Sequence, residues 1–180
     1  MNIKESTNLM QKITLILEPL TTTSFAPFGD VIEVNESQNH FPINLGTVER
    51  FHDLGTVDTD RQCGHPLISI VTCNTQASLP YTLPLLERHP LGSQCFMPLD
   101  NTPIMVVVAE KDESPNVATL RAFISDGSQG INYHAGIWHM PITFLQKDQR
   151  MLVVDRGGEG NNCDEWPLPD YEIIIRENIL

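Results

Sequence analysis

Apolar residues along this chain come in short runs rather than at helical spacing. Segments 13–17, 31–34, 67–73, 94–97, 104–109, 119–124, 143–145, 151–154 and 171–175 are mostly β-branched or aromatic, and Gly, Pro, Asn or Asp bound them. That pattern predicts short strands joined by tight turns. Residues 104–109 are apolar without alternation, which predicts a strand covered on both faces. Only residues 21–28 suggest a helix, a single short turn capped by Thr or Ser. Thirteen prolines and eleven glycines are spread along the chain, which fits many turns better than one interdomain linker. The expected fold is all-β, a sandwich or closed barrel, because closure removes unpaired strand edges. Residues 13–180 form the predicted domain, and the polar, patternless residues 1–12 read as a loose extension.

Composition narrows the functional classes. A chain of 180 residues with 41% hydrophobic content can build one core of its own. Its net charge of −12 repels phosphate backbones and anionic lipid, so nucleic acid and membrane are not expected partners. No run approaches the ~20 apolar residues of a spanning helix, and residues 1–12 are too polar for a secretory signal. The expected compartment is the cytoplasm. Cys63, Cys73, Cys95 and Cys163 show no CxxC spacing and read as reduced thiols.

Two segments concentrate the candidate chemistry. The first is Leu86-Glu87-Arg88-His89-Pro90-Leu91-Gly92-Ser93-Gln94; the second is Tyr133-His134-Ala135-Gly136-Ile137-Trp138-His139-Met140-Pro141. In an extended first segment Glu87 and His89 face the same way and Arg88 faces oppositely. Pro90-Leu91-Gly92 then turns the chain, and Gln94 opens the next strand. In the second segment the separation of His134 and His139 is odd, and Gly136 breaks the strand between them, so spacing places only His139. Asp155 and Arg156 read as a structural pair at a strand end.

The order Glu87-x-His89-x4-Gln94, followed by Gly136-x-x-His139, resembles the two metal-binding motifs of the cupin superfamily. Glu87 and Gln94 stand where those motifs usually carry histidine and glutamate. Longer phrases resemble the ureidoglycolate lyase family: Val48-Glu49-Arg50-Phe51-His52-Asp53-Leu54, the whole of 86–94, Thr119-Leu120-Arg121-Ala122-Phe123, Gln129-Gly130-x-Asn132-Tyr133-His134, Trp138-His139 and Asp155-Arg156-Gly157-Gly158. The resemblance implies a cupin-like double-stranded β-helix barrel of the jelly-roll type. It also implies a homodimer that splits (S)-ureidoglycolate into glyoxylate and urea during allantoin (purine) catabolism and nitrogen use.

That reaction needs a base at the substrate hydroxyl, an acid at the departing nitrogen and a cation at the carboxylate. His89, His139, Glu87 and His134 are the catalytic candidates, since imidazole titrates near the working pH. Arg50, Arg121 and Arg156 are candidates for the carboxylate because a guanidinium fork matches it. Gln94 and Tyr133 complete the substrate-binding set. Glu87, His89, Gln94 and His139 are the donors for a divalent metal, with nickel suggested by the resemblance, and no organic cofactor is expected. Two alternatives share the fold: another metal-dependent cupin enzyme, and a non-catalytic cupin that binds a small acid.

Overall fold

A computed structural model describes residues 10–178. In chain order its strands are β1 (Gln11–Pro19), β2 (Gly29–Ile32), β3 (His40–Ile43), β4 (Val48–Phe51), β5 (His65–Thr72), β6 (Tyr81–Thr82), β7 (Leu85–Arg88) and β8 (Gln94–Pro98). They continue as β9 (Met105–Ala109), β10 (Arg121–Ile124), β11 (Gly130–Tyr133), β12 (Trp138–His139), β13 (Arg150–Gly157), β14 (Asp164–Pro167) and β15 (Tyr171–Arg176). The helix α1 spans Thr22–Phe25, and the Thr21 hydroxyl accepts from the Ser24 amide as its N-cap. The short turn expected within 21–28 is therefore present, started by the residue type that starts helices.

An eight-stranded sheet in the order β14-β7-β12-β9-β10-β1-β15-β6 curls over a five-stranded sheet in the order β2-β11-β8-β13-β5. The result is an all-β, cupin-like barrel, with β3 and β4 as a separate hairpin. Strand β9 shows why its sequence does not alternate. Val106 and Val108 join Phe96, Phe123, Ile131 and Met151 between the two sheets, while Met105, Val107 and Ala109 pack with Leu86, Trp138 and Ile173 on the opposite face. Both faces bury apolar side chains, so both parities must be apolar.

Two expectations change, and one strand has an unexpected setting. Residues 143–145 make only an isolated bridge from Thr143 to Met105, because Pro141 and the turn that follows interrupt the ladder. The boundary drawn at residue 13 falls within a strand: Gln11 and Lys12 already pair with Tyr171 and Glu172. The rest of the proposed extension, residues 1–9, lies outside the described residues. Strand β5, apolar in sequence, is the edge of its sheet, and Ile68 and Ile70 are exposed at 77% and 61%.

Candidate active site

The two segments meet because β7 and β12 lie side by side, with His139 directly opposite Glu87 in antiparallel register. Glu87 and His89 share the inward face. Arg88 points outward, where its Nε donates to Asp164 at 2.8 Å and its guanidinium lies over Trp138. Gly136 takes φ 82°, a left-handed conformation that side chains other than glycine's resist. Its amide donates to the His89 carbonyl at 2.8 Å, so the turn that releases His139 inward is tied to the first segment.

Hydrogen bonds fix both imidazoles. His89 Nδ1 lies 2.6 Å from the carbonyl of Asn162, and His139 Nδ1 lies 2.9 Å from that of Ile137. A carbonyl only accepts, so each Nδ1 carries the proton and each Nε2 presents a lone pair. Neither Nε2 has a hydrogen-bond partner, and neither does the buried Gln94 Oε1. Glu87 Oε1 stands 3.5 Å from His139 Nε2 and 4.0 Å from His89 Nε2. Buried polar atoms are rarely left without partners, so this convergence of free acceptors marks a binding site. Tyr133 holds the His139 ring from one side, stacked at 4.1 Å with 16° between planes.

The field of the site follows from burial and proximity. Burial pushes the Glu87 carboxyl up, but the close approach of His139 and the positive charge that both imidazoles can carry outweigh it and hold the group below its usual range. Burial and the neighbouring His139 lower the His89 pKa, against the opposing pull of the Asn162 carbonyl, Glu87 and Asp155. His89 is thus kept neutral to lower pH, the state in which imidazole is a ligand. Burial first, and Glu87 second, push the Tyr133 phenol up, so it stays protonated. The Cys95 thiol is raised to about 11 by burial and by Asp30, which removes it as a nucleophile.

Glu87, His89 and Gln94 line a cleft of about 370 Å³, walled by Val71, Phe96, Ile142 and Val153, with His139 buried beside Glu87. A larger hollow of about 610 Å³ beside Pro115 and Trp166 gathers no imidazole or thiol. The donor atoms of Glu87, His89 and His139 lie within 4.8 Å of one another, close enough to share one metal ion. Two imidazole nitrogens with free lone pairs and a carboxylate, each imidazole oriented by an outer carbonyl, fit a divalent cation. Gln94, which lines the cleft from β8 in the other sheet, brings a further unpartnered neutral oxygen, Oε1.

Other expected residues lie elsewhere. His134 is 49% exposed, pairs with Asp30 at 3.1 Å, and borders a separate cleft of about 390 Å³ with Lys111 and Arg61. Arg121 binds Glu18 at 2.7 Å and covers Phe123. Arg156, buried on the opposite face of β13 from the cleft, donates to the carbonyls of Arg61, Gln62 and Glu159 and so ties down loops. Arg50 sits opposite Phe41 in the β3–β4 hairpin. No lysine or arginine is among the described residues that line the cleft.

Two residues at the site differ from what the spacing alone suggests. Asn162 orients His89 through its carbonyl and receives the Leu91 amide through its side chain. Asp155 forms no pair with Arg156 and lines the cleft instead. Period-two alternation along Met151, Val153 and Asp155 was the available signal, since the first two are buried inward.

A barrel of this topology, with two imidazoles and a carboxylate converging on one interior wall, defines a cupin-type small-molecule site. A family model described as ureidoglycolate lyase matches residues 12–175, and the chain belongs to that family. It is 49% identical over 162 residues to a ureidoglycolate lyase of Pseudomonas entomophila (strain L48), covering 90% of this chain and 96% of the relative. A ureidoglycolate lyase of Pseudomonas fluorescens (strain Pf0-1) is 51% identical with the same coverage. That of Pseudomonas syringae pv. tomato is 51% identical, covering 90% of this chain and 94% of the relative.

Proposed function

We propose that this protein is a ureidoglycolate lyase, cleaving (S)-ureidoglycolate to glyoxylate and urea in purine-derived nitrogen use. The observation that carries the reading is the pair of unpartnered acceptors His89 Nε2 and His139 Nε2 beside the Glu87 carboxylate, with the unpartnered Oε1 of Gln94 in the same cleft. Family membership over residues 12–175 supports it.

In the reaction the hydroxyl proton leaves, the oxygen pair forms the aldehyde, and the C–N electrons depart with urea, whose nitrogen gains a proton. No water is consumed and no redox change occurs. Glu87 is suited to carry that proton. Its Oε1 faces the imidazoles, while Oε2 accepts only the weak donor of the Cys163 thiol at 4.0 Å, a partner it can exchange for the substrate hydroxyl before returning the proton to the leaving nitrogen. Tyr133 keeps the His139 ring in place, and Val71, Phe96, Ile142 and Val153 limit water that would compete for the proton.

Glu87, His89 and His139, joined by Gln94, would hold a divalent ion, with nickel the proposed species. When bound, such an ion supplies Lewis-acid polarisation and the positive charge that an anionic substrate requires. That assignment suits a cleft whose lining carries no lysine or arginine among the described residues. His134, Arg50, Arg121 and Arg156 are not included in the proposed machinery. The exposed apolar edge of β5 supports a homodimer. Among the described residues no helix is long and apolar enough to cross a membrane, and we place the enzyme in the cytoplasm.

The test is product analysis with ureidoglycolate. Glyoxylate and urea in equal amounts are the expected outcome. Glyoxylate with ammonia in place of urea would mean hydrolysis of the ureido group and would end the proposal.

A further inference from the structure

The polar inventory of the cleft is unbalanced. Its wall carries two carboxylates, Glu87 and Asp155, and only Glu87 has neighbours that explain it. Asp155 makes no hydrogen bond or ion pair with any described residue, although it lies close enough to His89 to act on it electrostatically. It sits on β13, on the same parity as the buried Val153, so its inward placement is set by the strand rather than by a mobile loop. No described residue pairs with it, and the three donors that converge within reach of one cation, Glu87, His89 and His139, belong to the strands and turn of the other sheet.

A carboxylate offers two oxygens side by side. A ureido group offers a matching pair of parallel N–H donors, one from each nitrogen, so the two can join through two hydrogen bonds as an arginine fork does. We infer that Asp155 is the specificity residue that receives the ureido end of the substrate. The substrate then lies across the cleft, its carboxylate and hydroxyl at the wall of Glu87, His89 and His139 and its two nitrogens at β13. This arrangement presents the scissile C–N bond between the two walls. The inference rests on the ureidoglycolate reading, and it adds the means by which a ureido group is told from an ordinary amide.

Two analogues that lack the hydroxyl, and so cannot collapse, test the inference by binding alone. Hydantoate keeps both ureido nitrogens; N-acetylglycine replaces the outer nitrogen with a methyl group. Calorimetric titration of the full-length, metal-loaded protein should show hydantoate binding about tenfold or more tightly than N-acetylglycine, the scale of a charge-assisted hydrogen bond. In Asp155→Asn, and independently in Asp155→Ser, that preference should shrink to about twofold, with N-acetylglycine, which keeps one of the two N–H donors, weakened less than hydantoate and bound metal unchanged. A wild-type protein without the preference overturns the inference. So does a variant that keeps it, weakens both analogues equally or loses metal. If ureidoglycolate is not turned over while the preference and its loss are both observed, the lyase reading fails and the recognition of ureido groups by Asp155 stands.

Discussion

His134 and His139 stand five residues apart on one segment and end in opposite environments. His139 is 2% exposed, its Nδ1 satisfied by a carbonyl and its Nε2 left free beside Glu87. His134 is 49% exposed and pairs with Asp30 in a neighbouring cleft. Gly136, in its left-handed turn, separates them and sends one side chain inward and the other to the mouth of the second cleft. The contrast shows that what sets His139 apart is a buried nitrogen lacking a partner, and proximity in sequence to such a group is no guide.

The sharpest way to break that comparison is to remove the proposed proton carrier. Glu87→Gln should lower the rate of glyoxylate formation about 10³-fold, within the range for loss of a positioned acid or base. His134→Gln should stay within about twofold, since an exposed ion pair contributes little. Equal losses in both variants would erase the distinction between the two sites.

Metal content offers the next test. His89→Ala should weaken nickel binding by about 100-fold, at the upper end of effects seen even for outer-shell groups. Nickel retained after gel filtration measures it, and His134→Ala should retain the wild-type amount.

A smaller effect attaches to the ring that braces His139. Tyr133→Leu should destabilise the protein by about 1–2 kcal/mol through the lost aromatic contact and imperfect filling. Tyr133→Phe keeps the stacked face and should cost less than half as much in equilibrium denaturation.

The least effect is one of pH. The folded His89 pKa lies below its ordinary value, so on acidification the unfolded chain takes up a proton that the folded chain resists. Its contribution to stability is therefore complete above about pH 6.5 and declines as pH falls through that value. In metal-free protein, His89→Gln should flatten that part of the stability curve.

Much of this arrangement was legible along the chain. The two-residue spacing of Glu87 and His89 put both on one face of β7 and turned Arg88 away, as alternation requires. The unbroken apolar run at 104–109 foretold a doubly buried β9. Arg121 and Arg156 illustrate the opposite case. Their chemistry suits a carboxylate, but a guanidinium binds any nearby oxygen, and Glu18 and the carbonyls of Arg61, Gln62 and Glu159 occupy them. Adjacency in sequence suggests a structural pair of Asp155 and Arg156, whereas strand alternation sends the two side chains to opposite faces.

The sequence by itself determined the all-β class, the inward parity of Glu87 and His89, and the need for a turn at Gly136, because side-chain alternation and backbone freedom are local properties. Only the tertiary structure decided that His139 stands opposite Glu87, that Asn162 holds His89 from 73 residues away, and that Asp155 rather than an arginine faces the cleft. Those outcomes depend on strand register and on which distant groups satisfy one another, and neither is encoded in the spacing of any single segment.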